Sequence, residues 1–194
     1  MAFPSPYVTE KFTAYLVETM ISNLSLAVWL TDGFTLKEPL GGAAVAIVEN
    51  GVKAFRNLSG YHLFTDLGSG NYTVSVTTDL YLPAATTVDT SLLAPKNPVI
   101  VITLTPRPSY PFPGNATLVR GVVVNAEPVA GAEVTVIAKP EKTVTDRQGE
   151  FVLFFKGIKT EPITIEIKKG GDTKTVTVTI EEGKTVSAGK ITFP

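Results

Sequence analysis

From residue 24 onward, hydrophobic and polar residues alternate in short runs that are separated by Gly, Pro, Asn and Asp. The runs are rich in Val, Ile, Thr and aromatic residues, a composition that favours strands over helices. They fall into two sets: 24–31, 43–49, 52–57, 61–66, 71–78, 85–90 and 99–105, then 117–125, 132–138, 142–146, 150–156, 162–168, 173–180 and 185–193. Seven short strands per half predict an all-β protein of two tandem seven-strand sandwiches.

Residues 1–22 lack this alternation and form a separate N-terminal segment. Ser5 followed by Pro6 is typical of a helix start. A helix would present an apolar face made of Val8, Phe12, Tyr15, Leu16, Thr19 and Met20. The stretch is also rich in Thr, Val and aromatic residues, so an extended arm stays open beside the favoured short helix.

An internal repeat supports the division into two halves. The pattern Pro-x-x-Gly-Ala-x-Val occurs at 39–45 and again 89 residues later at 128–134, and Gly60 and Gly149 keep the same offset. The run 72–76 aligns with 163–167 if the second copy carries two extra residues. Two copies are too few for a solenoid and indicate a tandem pair.

A proline-rich stretch at 106–114 separates the two copies. Its composition favours polyproline II, a semi-rigid spacer, with Tyr110 and Phe112 packed on a domain; a Pro-x-x-Pro peptide ligand is the weaker alternative. The predicted units are an N-terminal arm or helix at 1–22, a first sandwich at 23–105, the linker at 106–114 and a second sandwich at 115–194.

Composition excludes several classes of partner. The 194 residues carry 17 Lys+Arg against 18 Asp+Glu, so no basic excess would neutralise nucleic-acid phosphates or hold anionic lipid. Without cysteine there is no disulfide or Cys-based zinc site. No stretch reaches the length of a membrane span, and residues 1–6 do not resemble a secretory signal. We therefore expect no membrane insertion, and a chain that is cytoplasmic by default or exported by another route.

Candidate chemistry is sparse. His62, the single histidine, and Asp66 share a strand face about 13 Å apart, too far for a direct proton relay, so His62 is interpreted as a packed core or rim residue. The acids Asp32, Asp79 and Asp89 lack the spacing of a calcium loop. We expect no catalytic residue, metal or cofactor.

Trp29 is the most informative aromatic residue. If Leu26, Val28 and Leu30 face the core, Trp29 points outward, where residues 1–22 or a second chain would cover it; stacking on a sugar is the alternative. The candidate interaction surface comprises Phe12, Leu16, Met20, Trp29, Tyr110 and Phe112.

Three runs in the second half, 119–123, 128–134 and 145–151, resemble the carboxypeptidase regulatory-like domain, as do 60–67 and 70–74 in the first. The resemblance implies a transthyretin-like (prealbumin-like) fold and an accessory role, and it carries no catalytic residue over. The first copy departs from it in a longer loop at 32–39 and in His62, where an aromatic residue is usual. Collagen-adhesin B-type repeats, a related class, form isopeptide bonds with the help of an acid, but Val76 stands at that position. We expect no isopeptide bond in the first copy, and none in the second.

Together these features predict a non-enzymatic interaction or assembly module within a larger complex or surface structure, with residues 1–22 as the docking element. The partner would be another protein or a second copy of the chain. A carbohydrate- or small-ligand-binding module is the alternative, and a hydrolase ranks third because titratable groups are few.

Overall fold

The computed structural model describes residues 7–8, 10–11, 13–14, 22–157 and 159–194, and these residues form an all-β protein. Near the N-terminus, β1 (Tyr7–Val8) pairs antiparallel with β2 (Thr13–Ala14). The described backbone is extended here, so the preference for a helix is wrong at these positions and the alternative, an extended arm, applies. The physical reason is the β propensity of Tyr, Val and Thr, which are less favourable than Ala or Leu in a helix.

The first half contains two packed sheets. Its strands are β3 (Leu24–Asp32), β4 (Ala43–Ile47), β5 (Phe55–Arg56), β6 (His62–Thr65), β7 (Asn71–Thr78), β8 (Ala84–Asp89) and β9 (Val99–Leu104). One sheet has the order β5-β6-β3-β9, with β9 parallel to β3, and the other has the order β4-β7-β8. Inward side chains of both sheets, such as Leu26, Val45 and Val74, form one core.

The second half repeats this arrangement. Its strands are β10 (Thr117–Asn125), β11 (Glu127–Pro128), β12 (Glu133–Val136), β13 (Lys142–Val144), β14 (Glu150–Phe155), β15 (Glu161–Lys169), β16 (Asp172–Ile180) and β17 (Thr185–Thr192). The central strand β10 pairs with β14 and, in parallel, with β17; the facing sheet has the order β13-β12-β15-β16. A second core gathers Val119, Phe151, Ile165 and their neighbours. The two predicted sandwiches are therefore present, with short shifts in strand ends.

One strand changes sheets between the copies. In the first half β5 pairs with β6, whereas β13 pairs with β12 in the second half. The prediction of a strand at 52–57 is accordingly too long, because only Phe55 and Arg56 join a ladder. The two-residue strand β11 is also absent from the sequence prediction, and it follows from a tight turn at Ala126 with φ +56°.

The linker is folded onto the first half and is not a straight spacer. Tyr110 N–H donates to the Arg107 carbonyl at 3.0 Å, and Phe112 N–H donates to the Tyr110 carbonyl at 2.9 Å. Tyr110 is only 4% exposed and belongs to the core of the first half. Burial of this ring outweighs the polyproline II preference of the prolines around it, so the strut prediction is corrected, while the packing of Tyr110 and Phe112 is confirmed.

The two halves meet through aromatic side chains. The Phe34 ring lies 5.0 Å from the Phe112 ring and 5.4 Å from the Phe154 ring, both in edge-to-face geometry. Arg120 Nη1 donates to the Pro108 carbonyl at 2.6 Å, which ties the second half to the linker. The first half uses the Asp32 end of β3 for this contact, and the second half uses the starting end of β10.

Candidate functional site

Trp29 lies on the outer face of the first half, as predicted. Its neighbours Val28 and Leu30 are buried, and Trp29 is half-buried on the opposite side of β3. The indole packs against the Tyr61 ring, with centroids 4.8 Å apart. Gly60, at φ +89°, lies beneath the indole, and a Cβ added there would be 3.2 Å from Trp29 Cζ3. Glycine at this hairpin tip therefore suits both the backbone angle and the indole.

Apolar side chains surround Trp29 on this face. Val101 is opposite Trp29 on β9 and is 62% exposed, and Phe55, at the other edge of the sheet, is 69% exposed. The half-buried Leu63 lies between them, paired with Phe55 and Ala27. We call Trp29, Tyr61, Phe55, Leu63 and Val101 the Trp29 face.

A small cleft of about 210 Å³ borders the Trp29 face, lined by Trp29, Glu38, Arg56, Gly60 and His62 among others. Arg56 and Glu38 form an ion pair at its edge. Burial, and secondarily the positive charge of Arg56, lowers the pKa of His62 below its ordinary value. A neutral His62 beside an ion pair and an indole gives this cleft polar and aromatic surfaces.

His62 and Asp66 do not form a catalytic pair. His62 is buried within the first sandwich, as predicted. Asp66 lies outside the core, where it accepts a hydrogen bond from Asn23 N–H at 2.8 Å. Among the described residues, no group of three or more His, Asp and Glu side chains could hold a metal ion. What Asp66 does is fix the chain where it enters β3, since Asp66 N–H also donates to the Asn23 carbonyl.

Asp32 is the one fully buried carboxylate among the described residues, with 0% exposure. It accepts hydrogen bonds from Phe34 N–H at 2.7 Å and from the Tyr110 hydroxyl at 2.5 Å. Burial, and then the bond to Asp32, raises the pKa of Tyr110 well above its ordinary value. Tyr110 therefore serves the core, and its assignment to an interaction surface is wrong; Phe112 is half-buried at the junction of the two halves.

The second half has a sheet edge at which apolar, core-facing side chains stay half-exposed. Inward side chains of β16 and β17 pack against the second core but remain half-exposed: Val176, Val178, Val186 and Ala188. We call these four residues the seam. In the described part of the chain, no ladder joins β16 to β17, and β15 is the strand that pairs with β16.

The first half covers one end of the matching edge with a longer connection, while the inward-facing Thr86 further along β8 is exposed. Val88 pairs with Tyr72 just as Val178 pairs with Ile163, yet Val88 is only 8% exposed. Residues 90–98 join β8 to β9 and place Leu93 against the first core, whereas residues 181–184 join β16 to β17. The shorter connection leaves the seam uncovered.

The alternation in 173–180 predicted a strand with Val176 and Val178 on one face and threonines on the other, and the structure has this arrangement. The sequence also contained the signal for the open edge: the connections after β8 and β16 differ in length. Predicted surface residues Phe12, Leu16 and Met20 lie outside the described residues. Val76, at the position where an isopeptide-forming repeat has an acid, is buried in the first core.

No protein-family model and no curated protein matches the chain. Among solved structures, the TIE protein of Bacillus anthracis is 15% identical over 88% of this chain and 34% of its own, with a TM-score of 0.34. The shaft pilin SpaA of Lactobacillus rhamnosus GG is 11% identical over 89% of this chain and 97% of its own, at 0.30. A cohesin–X-dockerin complex of Acetivibrio cellulolyticus is 19% identical over 40% of this chain and 56% of that one, at 0.33.

These likenesses are weak, and the chain spans only part of the Bacillus anthracis and Acetivibrio cellulolyticus structures. The β-sandwich architecture rests on the strands of this chain itself. Among the described residues, no helix is long and apolar enough to cross a membrane.

Proposed function

We propose that this chain is a non-enzymatic protein-interaction module that builds a larger assembly, with residues 1–22 as its docking element. The observation that carries the proposal is the seam, where core-facing side chains of a complete-looking sandwich are left half-exposed. Apolar area that stays in contact with water costs roughly 25 cal/mol per Å², so covering the seam with another chain is favourable.

Each half would be a transthyretin-like sandwich of the carboxypeptidase regulatory-like kind, at 23–105 and 115–194. The shared order of central strands, β6-β3-β9 in one half and β14-β10-β17 in the other, supports this proposal. The folded segment 106–114 would then be a fixed connector between two accessory domains.

Light scattering on size-exclusion fractions tests the assembly role. We expect the full chain to grow in mass with concentration, and residues 23–194 to remain a folded monomer by circular dichroism. If both chains are monomers at every concentration, self-assembly is excluded. If residues 23–194 unfold, residues 1–22 belong to the first sandwich and the docking role is wrong.

A second candidate function is carbohydrate binding in the cleft beside Trp29. The specific observation is the half-buried indole next to the Arg56–Glu38 pair, because sugars stack on aromatic rings and bond to planar charged groups. A glycan that binds there should quench the fluorescence of the lone Trp29 saturably, and Glu38→Ala should abolish the saturation. Unsaturable quenching in both proteins would reject this candidate.

A further inference from the structure

The open edge of β16 has the features of a strand acceptor. In an antiparallel ladder every second residue of an edge strand directs its N–H and C=O away from its partner, and β16 offers nine residues for such pairing. Its inward positions are Lys174, Val176, Val178 and Ile180, which oppose Ile167, Ile165, Ile163 and Glu161 of β15. An added strand would pair with these free groups and cover the seam.

The N-terminal segment carries a matching pattern. In an extended chain, even-numbered residues from 12 to 20 point to one side, and these are Phe12, Ala14, Leu16, Glu18 and Met20. The described strand β2, Thr13–Ala14, is already extended and has one edge not used by β1. Phe12, Leu16 and Met20 therefore share a side whether the segment is helical or extended.

One antiparallel register matches the two strands in both apolarity and charge. Opposing Glu18 to the exposed Lys174 places Leu16 opposite Val176, Ala14 opposite Val178 and Phe12 opposite Ile180. A parallel strand with Glu18 opposite Lys174 would put Met20 opposite Val176 and Ser22 opposite Val178, and would leave Phe12 beyond the end of β16. The antiparallel register is therefore the better fit.

The donor must be a second copy of the chain. In this register Met20 lies opposite Asp172, and only two residues lie between Met20 and Asn23, so these two are at most about 10 Å apart. Asn23 is fixed by Asp66 at the outer end of the first half, and Asp172 lies at the outer end of β16.

The opposite ends of β3 and β16 lie at the junction between the two halves. The Asp32 end of β3 contacts the second half, and the Ile180 end of β16 is followed by Gly183, whose N–H bonds Thr117 Oγ1 at 2.8 Å. Each strand is nine residues long, about 27–30 Å. Asn23 and Asp172 of one chain are thus too far apart for the two intervening residues to bridge.

We propose that residues 12–20 of one copy add as an antiparallel strand to β16 of the next copy, covering its seam and joining the copies head to tail. This inference rests on the proposed assembly function and identifies its donor and acceptor. The pairing would place Thr13, Tyr15, Val17 and Thr19 over the threonine-rich outer side of β16.

Engineered cysteines test the register directly, because the chain has no cysteine of its own. Thr19→Cys with Thr173→Cys in one full-length chain pairs two opposing positions, and mild oxidation should give a ladder of dimers, trimers and higher species on a non-reducing gel. The matched control, Thr19→Cys with Thr179→Cys, separates the positions by about 20 Å along β16 and should give no ladder. A disulfide within one chain, or equal ladders in both proteins, overturns the inference.

Charge reversal tests the donor and acceptor independently. Glu18→Lys and Lys174→Glu should each weaken association of the full chain about three- to tenfold, since like charges then oppose each other. Mixing the two variants should restore association, as should the double variant. If the wild-type chain associates and the variants associate equally well, the strand pairing is wrong while the assembly function stands; a monomeric wild type rejects both.

A pair of substitutions in the segment separates its two sides. Leu16→Asp would bury a carboxylate against the seam and should lower the association constant at least tenfold, whereas Val17→Asp faces the outer side and should retain most of it. Neither substitution replaces any of the side chains that form the two described cores. Equal loss in both variants would contradict the assigned side.

Discussion

Asp32 and Tyr110 show how a single buried pair joins distant parts of the chain. The carboxylate at the end of β3 accepts from backbone N–H groups of its own loop and from a hydroxyl in the linker, 78 residues further on. A buried charge is tolerated only when its lone pairs are occupied, and each donor here occupies one. The pair fixes the loop at 32–37 and the linker onto the same core.

Removing the Tyr110 hydroxyl should expose the cost of that charge. Tyr110→Phe leaves Asp32 Oδ2 without its donor, so we expect a loss of about 1–3 kcal/mol in the free energy of unfolding at pH 7. Urea denaturation measures the loss. An exposed control, Leu58→Ala, removes a large side chain that makes no buried contact and should change nothing.

Alkaline pH should act through the same residue. Because the pKa of Tyr110 is raised in the folded state, the unfolded chain releases this proton first, and stability falls as pH rises above the ordinary tyrosine pKa of about 10. Below that pH the contribution is fully present. The free energy of unfolding, measured by urea denaturation between pH 8 and about pH 11, should fall more steeply with pH in the wild type than in Tyr110→Phe. Equal pH dependence in the two proteins would contradict this assignment.

His62 should respond in the opposite direction. Its pKa is lowered in the folded state, so the unfolded chain takes up a proton first as pH drops below about 6.5, and stability is lost toward acid. His62→Phe copies the residue found at the equivalent position in the second half, Phe151. The variant should lose part of the acid sensitivity between pH 7 and about pH 5, as monitored by thermal melts.

At the scale of elements, two turn glycines differ in why glycine is needed there. Gly131 supplies only an unusual backbone angle, whereas Gly149 also leaves room for a neighbouring strand. Gly149 and Gly131 both have φ +72°, so alanine at either position adopts an angle that costs about 1 kcal/mol. An added Cβ at Gly149 would lie 2.4 Å from the Val123 carbonyl oxygen, whereas at Gly131 nothing lies within 4 Å. Gly149→Ala should therefore destabilise the protein by several kcal/mol and Gly131→Ala by about one; equal losses in urea denaturation would contradict the close approach.

Strand positions could be predicted well because many strands, such as β16, have one face turned to the core and one exposed face, which gives a period of two. The stretch Thr117–Asn125 is predicted with the bounds that the structure has. Prediction failed where a local preference competed with a long-range contact: the linker prolines favour an extended spacer, but the Tyr110 ring and its bond to Asp32 fold the chain back. The N-terminal helix preference was wrong at β1 and β2 for a different reason, the local β propensity of Tyr, Val and Thr.

The candidate site was only partly visible in the sequence. The outward position of Trp29 follows from alternation alone, whereas its contact with Tyr61 needs the pairing of β3 with β6. The seam depends on which strands lie at a sheet edge, and topology of that kind is not encoded in a local pattern. The sequence did show the relevant difference in connection length between the halves.

For the whole molecule, the aromatic junction should make the halves unfold together. Phe34 and Phe154 touch across the junction, and edge-to-face pairs contribute about 0.5–1.5 kcal/mol beyond their buried area. We expect one calorimetric transition in the wild type and two in Phe34→Ala with Phe154→Ala. Two transitions in the wild type would show that the halves are already independent.

A donor strand at the N-terminus and an acceptor edge at β16 of the same subunit would give any such assembly a polarity. Each subunit has one donor and one acceptor, so a growing chain always ends in an unfilled acceptor at one tip and an unused donor at the other. A subunit whose 181–184 connection is replaced by the longer 90–98 connection would keep its donor and lose its acceptor. Added in trace amounts, that subunit would act as a terminator and set the length of the filament.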